Sequence, residues 1–272
     1  MNARSTPPIA IAGDTRLFAI IGDPIAQARS PTLFNDLFAE RGLRAVLVPM
    51  QVPVAQLKAA VAGLKTIVNL DGIVVTVPHK VGVLALLDEV GPTAQRVGAV
   101  NCMRRLPDGR WGGEMFDGEG FVVGLRRAGI AAAGLRVFQA GCGGAGKAVA
   151  HALAAAGVAA LHLVDTQPEL TRNLVTALRR DYPALDAREG DAPGPVHHLL
   201  VNATPCGMAA DDPLPFDLGR ASTQAIVADL IMKPEHTRLL ETAQARGHRI
   251  HLGRHLLESQ AALVARYFGL DA

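Results

Sequence analysis

Short apolar runs alternate along this chain with segments whose apolar positions recur every three or four residues. "RLFAIIG" (Arg16 to Gly22), "RAVLVPM" (Arg44 to Met50) and "DGIVVTV" (Asp71 to Val77) are dense in apolar residues, the pattern of strands covered on both faces. Between them, Pro31 to Arg41 and Pro53 to Leu64 carry a helical period and a proline at the start, where its missing N–H leaves no hydrogen bond unmade. A second set begins near Leu135, with "RVFQAG", "ALHLVD", "HHLLVNA" and "AIVADL" as strands and Ala- and Leu-rich helical segments between them. This strand–helix alternation predicts parallel sheets. Two sets predict two α/β domains joined near Gly118 to Gly124, with no long linker.

Composition narrows the partners. With 272 residues, 49% of them apolar, the chain can bury a large core. The formal charge is +2, and the 27 Lys and Arg form no basic run, so the electrostatic footprint of a nucleic-acid binder is missing. A small molecule is the expected partner. Cys102, Cys142 and Cys206 are the only cysteines, too few for a disulfide framework and without metal-ligand spacing, so a reducing compartment and no metal are expected. Neither an export signal nor a membrane-spanning run is legible. The expectation is a cytoplasmic protein, monomeric or homodimeric.

The second set contains the sharper signal, "VFQAGCGGAGKAVAHALAAAG" from Val137 to Gly157. Gly141, Gly143 and Gly146 make a G-x-G-x-x-G between a strand and a helix, which lets the backbone turn tightly and approach a pyrophosphate at the helix N-terminus. The alternative is a glycine turn required only for close helix packing. Asp165 follows 24 residues after Gly141 at the end of the next strand, where a carboxylate accepts hydrogen bonds from an adenosine ribose. That carboxylate repels a 2′-phosphate, and Thr166, Gln167 and Pro168 bring no arginine to pair with one. NAD is therefore expected as cofactor, with NADP as the alternative and Arg172 further along as its only nearby cation.

In the first set, "VVTVPHKVG" (Val74 to Gly82) ends a strand on a lysine. A lysine there is commonly a solvated surface residue. At the carboxyl end of a strand, however, Lys80 would face the crevice where open α/β sheets bind ligands, a suitable place for a proton-transfer group.

Six short stretches together resemble the shikimate dehydrogenase family, and they run through nearly the whole chain. "GDPIAQARSP" (Gly22 to Pro31) is similar to the family's G-N-P-I-x-H-S-x-S-P, "VTVPHK" to its V-T-x-P-H-K, and "GAVN" (Gly98 to Asn101) is an unbroken match. "FDGEGF" (Phe116 to Phe121) resembles T-D-G-x-G-F, "NATPCGM" (Asn202 to Met208) resembles N-A-T-x-x-G-M, and "GRHLLESQAA" (Gly253 to Ala262) resembles G-x-x-M-L-x-x-Q-A-A.

The resemblance implies an N-terminal substrate domain at 1–117, completed by 252–272 through a returning C-terminal helix, and a Rossmann dinucleotide-binding domain at 118–251. It implies reversible hydride transfer between a nicotinamide cofactor and a ring hydroxyl of shikimate, quinate or a close analogue. Lys80 would move the hydroxyl proton and Asp117 would orient that lysine. Ser30 would bind the substrate carboxylate, while Thr76, Asn101 and Gln260 would bond ring hydroxyls or the carboxylate. Gly141, Gly143, Gly144, Ala145, Gly146, Asp165, Asn202, Ala203, Thr204, Leu230 and Gly253 would surround the cofactor.

Several positions depart from the family pattern. Ala28 replaces a second hydroxyl, Val74 an Asn, Met115 and Phe116 an Asn-Thr pair, and Met232 a Tyr. Losing one donor to a buried carboxylate costs about 1–3 kcal/mol, which weakens shikimate binding by roughly 10- to 100-fold. The Lys–Asp pair is retained. A different or broader substrate than shikimate alone is expected, the alternative being drift that the pocket tolerates; against the dehydrogenase reading as a whole stands a paralogue that binds a dinucleotide or metabolite without turnover. Other residues carry less chemistry. Strand alternation points His79 away from the side that Lys80 faces, Cys142 is expected as a small filler, His197 and His198 pack or lie exposed, and His248 and His251 are expected at the surface.

Overall fold

The structure, a computed structural model, describes residues 11–270. The described chain forms two compact units. One holds the residues up to Phe116 together with those from Ala261 onward, and the other is Asp117–Gln260.

In the first unit β1 (Arg16–Gly22), α1 (Ser30–Glu40), β2 (Ala45–Gln51), α2 (Leu57–Lys65) and β3 (Leu70–Val75) follow the expected rhythm. β1 pairs in parallel with β2 and β3, as connections through helices require. β4 (Glu89–Val90), α3 (Pro92–Val97), β5 (Cys102–Arg105) and β6 (Trp111–Glu114) complete a sheet ordered β2-β1-β3-β5-β6-β4. β5 runs antiparallel to both β3 and β6. The hydrophobic pattern does not announce this hairpin, because "WGGE" reads as a turn.

The core of this unit is aromatic. The Phe18 ring lies 5.5 Å from Phe38 and 5.1 Å from Phe268, and burying each such side chain contributes about 1.5–3 kcal/mol. Val264, Ala265 and Phe268 belong to this cluster, so the C-terminal helix returns to the first unit's core, as the resemblance implies.

In the second unit α4 (Asp117–Arg127), β7 (Arg136–Ala140), α5 (Gly144–Ala155), β8 (Ala160–Val164), α6 (Pro168–Asp181) and β9 (Asp186–Glu189) come first. β10 (Leu199–Asn202), β11 (Ile226–Asp229), α7 (Arg238–Ala245), β12 (Ile250–His251) and α8 (Arg254–Tyr267) follow, the last crossing into the first unit. The sheet is parallel throughout and ordered β12-β11-β10-β7-β8-β9. From β7 the chain builds outward through β8 and β9, then restarts on the other side of β7 with β10. The order reverses there, and at such a reversal open sheets leave a ligand crevice beyond the strand ends. α6 shows how the pattern encodes packing: Thr171, Leu174, Val175 and Leu178 are its buried residues, three to four apart on one face.

Two expectations about histidines are corrected. β3 ends at Val75 rather than Val77, because Pro78 has no N–H with which to extend a ladder. His79 therefore lies in a turn, where strand alternation does not apply. It is buried, and its Nε2 donates to the Val52 carbonyl at 2.6 Å. His248 and His251 are buried as well. His248 Nδ1 donates to the Ala225 carbonyl at 2.9 Å, and the His251 ring stands edge-on to Phe121.

Candidate active site

The carboxyl ends of β1 and β3 gather most of the polar residues singled out in the first unit. Val75 N donates to Asn101 O at 2.7 Å, and Val100 N donates to Lys80 O at 2.8 Å. The turn after β3 is thus laced to the segment entering β5, which sets Thr76, Lys80 and Asn101 on one hydrogen-bonded stretch. The turn is packed closely against β1: a Cβ added at Gly22 would meet Thr76 Cγ2 at 2.5 Å. Asn101 is buried, and its Oδ1 accepts the Phe116 N–H at 2.9 Å. Ser30, also buried, opens α1.

The positions that depart from the family pattern are apolar and packed. Val74 is a core residue of the cluster against which Ala28, Ile25 and Phe116 pack. The Phe116 ring lies 5.3 Å from Tyr267. Met115 is buried, and Met232 packs in the second unit.

In the second unit the glycine turn sits where the strand order reverses. Gly141 has φ of +100°, a region that favours glycine, and a Cβ there would meet the Ala203 carbonyl carbon at 2.5 Å. Gly146 carries α5 over the turn, and a Cβ at this position would lie only 2.2 Å from Gly141 O. Gly143 differs, since a Cβ there meets nothing within 4 Å. It precedes Gly144 at the start of α5, and no side chain caps that helix. Open space over uncapped N–H groups at a helix N-terminus suits a pyrophosphate. Asp165, just beyond β8, accepts from Cys142 N at 2.8 Å and Gln167 N at 2.9 Å. These bonds tie the glycine turn to the next strand and hold the carboxylate at its edge. Cys142 is fully buried and burial pushes its thiol up to about 11, which agrees with a filler and not a nucleophile.

Two further cofactor-set residues, Asn202 and Gly253, act on the protein itself. Asn202 is fully buried; its Nδ2 donates to Cys206 O and Asp229 Oδ1, both at 3.1 Å, and its Oδ1 accepts from Thr204 N and Oγ1. It shapes the loop that carries Ala203 and Thr204. Gly253 is required by close packing, since a Cβ would stand 2.3 Å from Ile231 O. Leu230 follows Asp229, whose other bonds are from Ile231 N at 2.9 Å and Thr237 Oγ1 at 2.7 Å. Burial raises this carboxyl above its usual range, opposed by those donors. Asp229 and Thr237, which tie β11 to the N-cap of α7, carried no sequence signal of their own.

Of the remaining candidates, Asp117 opens α4 and is buried, as is Gln260 on α8. His197 Nε2 and His162 Nδ1 are 2.8 Å apart, a packed pair. Among the described residues no group of three metal-ligating side chains is assembled, and no helix is long and apolar enough to cross a membrane.

A parallel sheet whose order reverses at an uncapped glycine turn is an arrangement that nicotinamide-dinucleotide-dependent oxidoreductases share. Residues 20–103 match the family model of the shikimate dehydrogenase substrate binding domain. The shikimate dehydrogenase (NADP(+)) of Symbiobacterium thermophilum is 36% identical over 267 residues, covering 94% of this chain and 90% of that protein. The chain belongs to the shikimate dehydrogenase family. The crystal structure of the Thermus thermophilus shikimate 5-dehydrogenase in complex with NADP(H) and shikimate superposes with a TM-score of 0.82 at 30% identity, covering 93% of each chain. Quinate dehydrogenase from Corynebacterium glutamicum in complex with NAD gives 0.81 at 28% identity, again over 93% of each. These relatives carry a nicotinamide dinucleotide as cofactor. They do not carry the expectation of NAD ahead of NADP, since the Symbiobacterium relative is named for NADP(+).

Proposed function

We propose that this chain oxidises and reduces a ring hydroxyl of shikimate, quinate or a close analogue, with Lys80 and Asp117 as the catalytic pair. When bound, the nicotinamide supplies or accepts the hydride. The matching proton must be handled by the protein, and Lys80 takes or returns it at the hydroxyl oxygen while Asp117 orients the ammonium group. Thr76, Asn101 and Gln260 bond the ring hydroxyls or carboxylate, and Ser30 bonds the carboxylate. The observation that carries this reading is the hydrogen-bonded stretch that holds Thr76, Lys80 and Asn101 at the end of β3, inside the segment matched by the substrate-domain model.

The cofactor is held by the Gly141–Gly146 turn and the α5 N-terminus, with Asp165 accepting from the ribose hydroxyls. NAD is favoured over NADP because the Asp165 carboxylate repels a 2′-phosphate, and Thr166 and Gln167 beside it bring no positive charge. The pocket suits a different or broader substrate than shikimate alone, since Ala28, Val74 and Phe116 share an apolar cluster where the family pattern has polar groups.

The test is formation of the reduced cofactor, followed by absorbance at alkaline pH with shikimate and quinate offered separately and NAD and NADP run in parallel. Turnover with at least one pair is expected. A protein that binds a cofactor but turns over neither acid nor a close hydroxy-acid analogue would be a binding protein and not a dehydrogenase of this type.

A further inference from the structure

Gln139 is a fully buried amide in β7, two residues before the first glycine of the turn. Its neighbours on the strand, Phe138 and Ala140, are apolar core residues, and a leucine would serve the packing. Its Nε2 donates to two carbonyls, those of Gly141 and Gly146, each at 2.9 Å. These are the first and last glycines of the motif. The orientation of the amide is fixed by this pairing, because a flipped amide would set its oxygen against both carbonyl oxygens. Oε1 is buried without a hydrogen-bond partner among the described residues, a destabilising arrangement that a purely apolar side chain would avoid.

We propose that Gln139 is a positioning residue for the dinucleotide: it clamps the two ends of the glycine turn from beneath, which fixes the peptide planes between them. This rests on the cofactor reading above and deepens it. Both carbonyls are held on the side facing the strand. Gly143 lies on the span between them, in the open space that a pyrophosphate requires. A turn without the clamp keeps its glycines but samples more than one peptide orientation, so cofactor binding must order it first. Gln139 touches no substrate and takes no proton, so its removal acts on the affinity for the cofactor and leaves the chemical step alone.

The test is Gln139→Leu, with Gln139→Met as a second variant of similar volume. Dissociation constants for NADH and NADPH are measured by fluorescence titration, alongside Tm, kcat and the cofactor KM. Loss of two neutral hydrogen bonds is expected to raise both dissociation constants about tenfold, with kcat at saturating cofactor within about twofold. A merely structural role would move Tm and leave the dissociation constants alone, and that result overturns the proposal. If neither variant folds, the Gln139 side-chain amide protons of the unmodified protein decide. Slow exchange with solvent and a resonance shift on adding NADH are expected, whereas exchange at the rate of an exposed glutamine overturns the clamp. Should the unmodified protein bind neither cofactor, the cofactor reading itself fails, an outcome distinct from unmodified binding with unaffected variants.

Discussion

Gly143→Ala separates the binding role of the glycine turn from its folding role. Gly143 has φ −70° and ψ −168°, which alanine adopts without strain, and the added Cβ meets nothing within 4 Å. Restricting the unfolded chain stabilises by about 0.4–1 kcal/mol. Alanine is a poorer N-cap than glycine by a similar amount. The two effects oppose each other, so net stability should change by less than about 1 kcal/mol, a Tm shift of roughly 2–4 °C at most. On the proposed placement of the pyrophosphate at the α5 N-terminus, however, the added methyl group enters its space, and the cofactor dissociation constant should rise at least about tenfold, ~1.4 kcal/mol. Gly146→Ala is the contrast. Its Cβ would lie 2.2 Å from Gly141 O and 3.3 Å from Gln139 Nε2, and overpacking of that kind costs about 1–3 kcal/mol. Differential scanning fluorimetry and NADH fluorescence titration on both variants give the two readings. An unaltered dissociation constant for Gly143→Ala would refute the placement of the pyrophosphate, and a large loss of Tm in the same variant would make Gly143 structural.

Four further outcomes are expected. Lys80→Ala should lower turnover by at least about 10²-fold with cofactor affinity nearly unchanged, so a variant retaining most of its turnover removes Lys80 from the mechanism. Asp165→Ala should weaken NAD binding by about 1–3 kcal/mol and narrow the discrimination against NADP; Michaelis constants favouring NADP in the unmodified protein would contradict it. Ala28→Ser should lower the Michaelis constant for shikimate with kcat little changed, since a hydrogen bond to a charged group contributes about 1.5–3 kcal/mol; an unchanged or raised constant means that position 28 does not meet the carboxylate. Finally, burial lowers His251 from 6.5 to about 4, so the unfolded chain takes up this proton first. Stability from the neutral ring is fully present above about pH 6.5 and is lost as pH falls toward about 4, on the order of 3 kcal/mol in all. Denaturant melts between pH 7 and 4 should show a steeper loss in the unmodified protein than in His251→Phe.

Much of the fold was legible because its strands and helices are local patterns. The apolar run Arg16–Gly22 coincides with β1 to the residue, and the glycine turn between β7 and α5 is legible as a turn, since the close approaches at Gly141 and Gly146 demand glycine. The hairpin of β5 and β6 was not legible: four-residue strands carry little periodicity, and Gly112 and Gly113 look like a turn until neighbouring strands are present to pair with them. His79, His248 and His251 show the same limit, because a histidine's burial depends on which distant segments pack over it.

The sequence by itself determined the two α/β sets, the dinucleotide motif and the family, all of which rest on residue types at fixed spacings along the chain. Only the tertiary structure decided which polar side chains serve the protein's own backbone. Asn202 and Asp229 are joined across neighbouring strands, and Gln139 reaches the carbonyls at both ends of the glycine turn. A hydrogen bond needs its partners within about 3 Å, and that proximity is created by strand order and by α5 closing over the turn, neither of which is a property of any local stretch of chain.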